Sequence, residues 1–232
     1  MAHLAAIDPE TCLSQRLHDI ECPALLSVSS LAFDPDERKI FFTTSNNDLR
    51  DLSVYDLATG KSTELLKRFG AGDLAFHRQS RSLWAVRHAN GVSSVIEMVP
   101  PYRQFVEHAS FPYGVDLFDL EVSPDGATLC AMAADSSGRQ KLVRLQIEAL
   151  QKGDATMETL YDFEFSSAAA FRFSPNGRLL YGTSYLTGAS NIVRFDLATR
   201  ALDVVTNAET GLFWPQALAD GARQERHEKL TA

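Results

Sequence analysis

The chain has 232 residues, 45% hydrophobic and 22% charged, which is enough apolar material for a sizeable core and too much for a disordered composition. A formal net charge of −8, with no segregated cluster of Lys and Arg, opposes a phosphate backbone and excludes nucleic acid as the expected partner. No run approaches the roughly 20 apolar residues that span a bilayer, so direct membrane insertion is not expected, and the opening Met1-Ala-His-Leu-Ala-Ala-Ile-Asp8 lacks the basic and apolar regions of a signal peptide.

From the N terminus, residues 1–26 stand apart. They read either as a segment with a short helix around Leu13-Ser-Gln-Arg-Leu-His-Asp-Ile20 or as the remnant of a preceding repeat unit. Cys12, Cys22 and Cys130 are odd in number and follow no metal-ligand or redox spacing. They read as free thiols, with a Cys12–Cys22 disulfide as the minor alternative.

Residues 27–221 repeat one hairpin. Leu31-Ala-Phe-Asp-Pro-Asp-Glu-Arg-Lys-Ile-Phe-Phe42 is followed by Leu74-Ala-Phe-His-Arg-Gln-Ser-Arg-Ser-Leu-Trp-Ala85, in which the turn chemistry is eroded. Leu120-Glu-Val-Ser-Pro-Asp-Gly-Ala-Thr-Leu-Cys-Ala131 and Phe171-Arg-Phe-Ser-Pro-Asn-Gly177 complete the set. The equivalent turn positions Pro35, Arg78, Pro124 and Pro175 are 43, 46 and 51 residues apart, and periods of this size mark propellers. A second mark keeps the same phase, since Asp56-Leu-Ala-Thr-Gly60 returns as Asp196-Leu-Ala-Thr-Arg200 after 140 residues.

Apolar and polar residues alternate within each unit, as at Phe171, Arg172 and Phe173, so each unit reads as four strands, A to D. The Ser-Pro-Asp/Asn-Gly and Asp-Leu-Ala-Thr turns are structural devices: proline and glycine set the backbone angles, and Asp accepts a local hydrogen bond. Asp56, Asp125 and Asp196 therefore have no expected catalytic role. A four-stranded sheet must cover one of its faces, and radial stacking does so for every copy, which predicts an all-β protein: a β-propeller of four-stranded antiparallel blades. An aligned sandwich is the alternative, with no reason to keep the period.

Glu209-Thr-Gly-Leu-Phe-Trp-Pro-Gln-Ala-Leu-Ala-Asp-Gly221 puts Asp220-Gly221 44 residues past Asn176-Gly177, and so predicts the first strand of a fifth blade. The polar tail 222–232 does not continue it. The expected architecture is about four blades plus one strand, a partial propeller, with another chain supplying the missing blades as one way to complete it.

The stretch Phe173-Ser-Pro-Asn-Gly-Arg-Leu-Leu-Tyr-Gly-Thr-Ser184 followed by Asn191-Ile-Val-Arg-Phe-Asp-Leu-Ala-Thr199 resembles the TolB-like, WD40-like (PD40-type) propeller repeat. The likeness runs from Ser27 to Gly221, close in the third and fourth repeats, loose in the first, and without the turn in the second. It implies a propeller that binds proteins or peptides, often in the bacterial periplasm and often as one module of a larger protein. The repeat brings no catalytic residues with it.

Searches for an active site end in near misses. Gly182-Thr-Ser-Tyr-Leu186 and Gly188-Ala-Ser-Asn-Ile192 lack the closing glycine and the strand-to-helix turn of a nucleophile elbow. His227-Glu-Lys-Leu-Thr231 has Thr where a zinc helix needs its second His. Gly70-Ala-Gly-Asp-Leu-Ala75 lacks the βαβ unit of a dinucleotide site. The six histidines are scattered, and no acidic residue recurs at the inner-strand positions where a metal-centred propeller enzyme of the lactonase type would need one. No catalytic residue, metal or cofactor is expected.

Propeller topology puts the B–C loops and the connections entering each A strand at one end of the blades. Aromatics and arginines on such loops anchor partners, which selects Arg50, His88, Tyr113, Tyr185 and Trp214 as candidate partner contacts. The alternative for the three aromatics is packing between blades. The expected function is a non-catalytic scaffold or interaction module for a protein or peptide. The alternative is an accessory propeller of a prolyl-oligopeptidase-like or metallopeptidase enzyme whose catalytic domain lies outside this chain.

Overall fold

The computed structural model describes residues 2–20, 28–45 and 49–218. Cys22, the loop Asn46-Asn47-Asp48, the turn Asp220-Gly221 and the tail 222–232 with its His227 motif lie outside them. The chain divides into two compact units, Met1–Ala89 with Glu97–Val106, and Asn90–Ile96 with Glu107–Ala232.

Four antiparallel four-stranded sheets form the blades of a β-propeller, with strands in sequence order within each sheet. Blade 1 holds β3 (Val28–Asp34), β4 (Lys39–Ser45), β5 (Arg50–Asp56) and β6 (Lys61–Leu66). Blade 2 holds β7 (Ala71–His77), β8 (Ser82–Ala89), β9 (Val92–Met98) and β10 (Val106–Ser110). Blade 3 holds β11 (Val115–Val122), β12 (Thr128–Asp135), β13 (Gln140–Gln146) and β14 (Glu158–Glu164), with the short helix α1 (Ile147–Gln151) before β14. Blade 4 holds β15 (Ala168–Phe173), β16 (Leu179–Ser184), β17 (Asn191–Asp196) and β18 (Leu202–Val204).

The alternation in sequence becomes two sheet faces. Leu180 pairs with Phe195 and both are buried, while the adjacent pair Tyr181 and Arg194 is partly exposed. In the second unit these residues join Met132, Leu142, Phe163 and Phe171 in one apolar cluster. Burying each such side chain contributes about 1.5–3 kcal/mol. Cys130 lies in the same cluster, and burial pushes its thiol up from the ordinary range. In the first unit Phe41 stacks on Phe76 and meets Tyr102 edge-on.

The turns work as their residues predict. Gly126 and Gly177 are left-handed and donate their amides to the Ser123 and Ser174 carbonyls, both at 2.8 Å. The eroded turn of blade 2 finds a substitute acceptor, the His77 ring Nδ1, which takes the Ser80 amide at 3.1 Å. Asp56 Oδ1 accepts the amides of Ala58 and Thr59, and Asp196 Oδ1 those of Ala198 and Thr199.

Residues 3–19 form a hairpin, β1 (His3–Ile7) and β2 (Ser14–Asp19), where a helix was one of two expectations. Its turn is chemically the same as the C–D turns. Asp8 Oδ1 accepts the Glu10 and Thr11 amides, and Cys12 closes the turn in the left-handed region, as Gly60 and Arg200 do in theirs. Leu4 and Ile20 pack on Phe42 and Tyr55 of blade 1, and the Tyr55 hydroxyl donates to the Leu17 carbonyl at 3.0 Å.

The first strand of blades 2, 3 and 4 carries a bulge, with Asp73, Asp119 and Ala170 in left-handed conformation and the ladder register shifting around them. Acidic residues therefore do recur there, against expectation. The extra bulge residue breaks the alternation that would have revealed them. Asp119 has a structural setting: its Oδ2 accepts the Ala170 amide of the next blade at 2.8 Å. Ser30 Oγ does the same for Leu74 at 2.6 Å. Among the described residues, no group of three or more His, Cys, Asp or Glu side chains is placed to hold a metal ion.

Candidate functional site

The strand order places the B–C loops and the D–A connections at the same end of each blade. Backbone bonds tie the two together: Gly70 N to Arg50 O at 3.1 Å, Phe111 N to Ser93 O at 2.9 Å, and Leu212 N to Ser190 O at 2.7 Å. Residues 205–218 thus leave blade 4 as residues 67–70 leave blade 1. Trp214 then adopts the left-handed conformation of Asp73, Asp119 and Ala170, at the matching distance from the turn position. The expected first strand of a fifth blade does not form: residues 209–218 hold no strand.

In the second unit this loop end is rich in exposed aromatics. Tyr113 is 85% exposed, Trp214 74% and Phe165 73%, and Tyr185, Leu186 and Phe213 are about half exposed. Tyr185 and Phe213 touch, with ring centroids 6.4 Å apart. Tyr113 lies over Gly91, where a Cβ would come within 2.8 Å of its ring.

A buried polar network holds these loops still. Asn191 donates through Nδ2 to Thr187 Oγ1 at 2.9 Å, and its Oδ1 accepts the Thr206 hydroxyl at 3.0 Å and the Ala208 amide at 2.7 Å. Ser190 Oγ donates to the Leu212 carbonyl at 2.8 Å. Both loops flanking the Tyr185–Phe213 pair are thereby fastened to β17. In blade 3, the Arg139 guanidinium grips the Asp162 carboxylate at 2.9–3.0 Å and holds its carboxyl below the usual range, assisted by the Glu164 amide.

The five candidates separate by unit. Arg50 and His88 belong to the first, where the Arg50 guanidinium lies so close on Gly72 that a Cβ there would collide with it. The His88 amide donates to Gly70 O at 3.1 Å, so both residues are anchored on the connection entering blade 2. Tyr113, Tyr185 and Trp214 belong to the second unit and face solvent. Tyr185 meets the neighbourhood of Trp214 through its ring contact with Phe213. Phe165 was missed because it reads as a continuation of the apolar alternation in β14. What ends the strand is the left-handed turn at Glu164.

No protein-family model and no curated protein matches the chain. Solved structures do. TolB from Acinetobacter baumannii is 18% identical with a TM-score of 0.71, over 88% of this chain and 48% of that one. A putative TolB from Agrobacterium tumefaciens is 15% identical with a TM-score of 0.73, over 93% and 73%. A puromycin-hydrolysing peptidase from Mycobacterium tuberculosis is 15% identical with a TM-score of 0.62, over 90% of this chain and 36% of its own. The chain spans about half the length of the Acinetobacter protein, and what it shares with all three is the β-propeller fold.

Proposed function

We propose that the chain is a non-catalytic β-propeller interaction module that binds a protein or peptide through the aromatic loop end of its second unit. The observation that carries this reading is the exposure of Tyr113, Phe165, Tyr185 and Trp214 on loops at one end of the blades, with the two loops around Tyr185 and Phe213 fastened to β17 by the Asn191 network. Rigid exposed aromatics give large contact area at small entropic cost, which is how interface anchors work. The likeness to TolB propellers supports it at the level of fold.

The test is a panel of peptides selected from a random display library on the wild-type chain. Tyr113→Ala, Tyr185→Ala and Trp214→Ala should each weaken the selected peptides about tenfold while leaving the thermal midpoint within a few degrees. Equal losses of binding and folding would instead assign these rings to packing.

A second reading has one observation in its favour. The likeness to the Mycobacterium tuberculosis peptidase covers 90% of this chain but only 36% of that protein, so the shared fold is one part of a larger enzyme. On this reading the chain is an accessory propeller. A coding region that continues into a Gly-x-Ser-x-Gly or zinc motif supports it.

A further inference from the structure

We propose that copies of the chain associate head to tail, with residues 212–218 of one copy covering the bare first strand of blade 1 in the next. The first half of the argument is a face left half covered. On blade 1, Leu31 is paired across the ladder with Phe42, and Phe33 with Ile40. The β1–β2 hairpin buries Phe42 and packs on Ile40, but it stops short of β3, where Leu31 is 52% and Phe33 50% exposed. Leu74, Leu120 and Phe171 hold the position of Leu31 in the other three blades, and they are 4%, 1% and 1% exposed.

The hairpin itself identifies the missing element. Its Asp8 turn has the hydrogen bonds of a C–D turn, so β1 and β2 stand as strands C and D of a blade. Among the described residues no strand pairs with the other edge of β1, the edge where B would lie, with A beyond it over Leu31 and Phe33. The A position is thus an uncovered apolar surface over Leu31 and Phe33, next to an open sheet edge, and suits an extended apolar segment.

The second half is an A-type segment that pairs with no strand among the described residues. Residues 212–218 leave blade 4 by the same backbone bond as the segments entering blades 2 and 3, and Trp214 is left-handed as Asp73 and Asp119 are, yet they form no strand and expose Phe213 and Trp214. The two ends are complementary parts of one blade type, A on one side and C–D on the other. A contact of this kind joins two different surfaces of the same molecule, so it propagates or closes by symmetry.

Sedimentation velocity from low to high micromolar concentration tests this on the full chain. The wild type should associate reversibly. Leu31→Asp with Phe33→Asp alters one end and Phe213→Asp with Trp214→Asp the other, at exposed positions, and each pair should weaken self-association at least tenfold. Mixed in equal amounts, the two double variants still hold one intact end apiece, so they should form a dimer and nothing larger. A wild type that stays monomeric throughout, folded variants that associate like the wild type, or a mixture that forms no dimer would each overturn the proposal. The inference goes beyond the peptide-binding reading, and the two fail separately: the Leu31 and Phe33 pair leaves every loop aromatic in place.

Discussion

The Glu121 carboxylate lies 3.5 Å from the Arg172 guanidinium, and the two residues hold the same place in consecutive repeats, three positions before Pro124 and Pro175. Blades 3 and 4 are therefore joined by a charge pair where the corresponding positions of blades 1 and 2 carry Ala32 and Ala75.

This pair should make stability depend on pH. Burial pushes the Glu121 carboxyl up from 4.5 to about 7, against the opposing pull of Arg172. The folded state thus binds the proton more tightly than the unfolded chain, so this group's contribution is full below about 4.5, declines as pH rises through about 7, and is flat above. Urea midpoints measured at pH 5 and pH 8 should be lower at pH 8, and Glu121→Gln should shrink the difference. The carboxylates held low by Arg partners, Asp162 and Glu158 among them, act only at more acidic pH and leave this window clear.

Asp119→Ala should cost about 1–3 kcal/mol, because the Ala170 amide loses its acceptor at a partly buried bulge. Asp119→Asn keeps a carbonyl oxygen in reach and should recover most of that. Thermal melts of the two variants side by side check the order.

Gly182→Ala should be destabilising by about 1–3 kcal/mol. A Cβ at this position would sit 2.7 Å from three atoms of the Phe171 ring, which is itself locked in the core of the second unit. The pairing change Phe171→Leu with Gly182→Ala should regain stability relative to Gly182→Ala alone, read from denaturant midpoints.

Asn191→Ala should loosen the aromatic loops without unfolding the blade. It removes the acceptor for Thr206 and Ala208 and the donor to Thr187 at once. Amide exchange should speed up in residues 185–190 and 206–212 while β16 keeps its protection, and affinity for selected peptides should fall with it.

The blades were readable because their determinants are local. Ser174, Asn176 and Gly177 specify a turn by themselves, and the alternation at Leu180, Tyr181, Phe195 and Arg194 specifies which face is covered. The N-terminal hairpin was half legible, since Asp8-Pro-Glu-Thr11 keeps the Asp and Thr of the Asp56 and Asp196 turns but replaces the Leu-Ala between them. The bulges were not legible: a left-handed Asp73 or Asp119 is held there by tertiary pairing, and its insertion shifts every later residue out of phase. Loop position and residue type sufficed to nominate Tyr113, Tyr185 and Trp214. They could not tell Phe69 from Phe165, which occupy comparable connections, one buried and the other facing solvent.

The two described cysteines differ enough in exposure to make a chemical clock for the second unit. Cys12 sits exposed at the tip of the N-terminal hairpin, whereas Cys130 is enclosed in the blade 3 core with its thiol pushed toward the unreactive protonated form. A maleimide should mark the first at once and reach the second only when β12 comes away from its neighbours, so the labelling of Cys130, read by peptide mapping apart from Cys12 and Cys22, times the breathing of the second unit with no engineered cysteine.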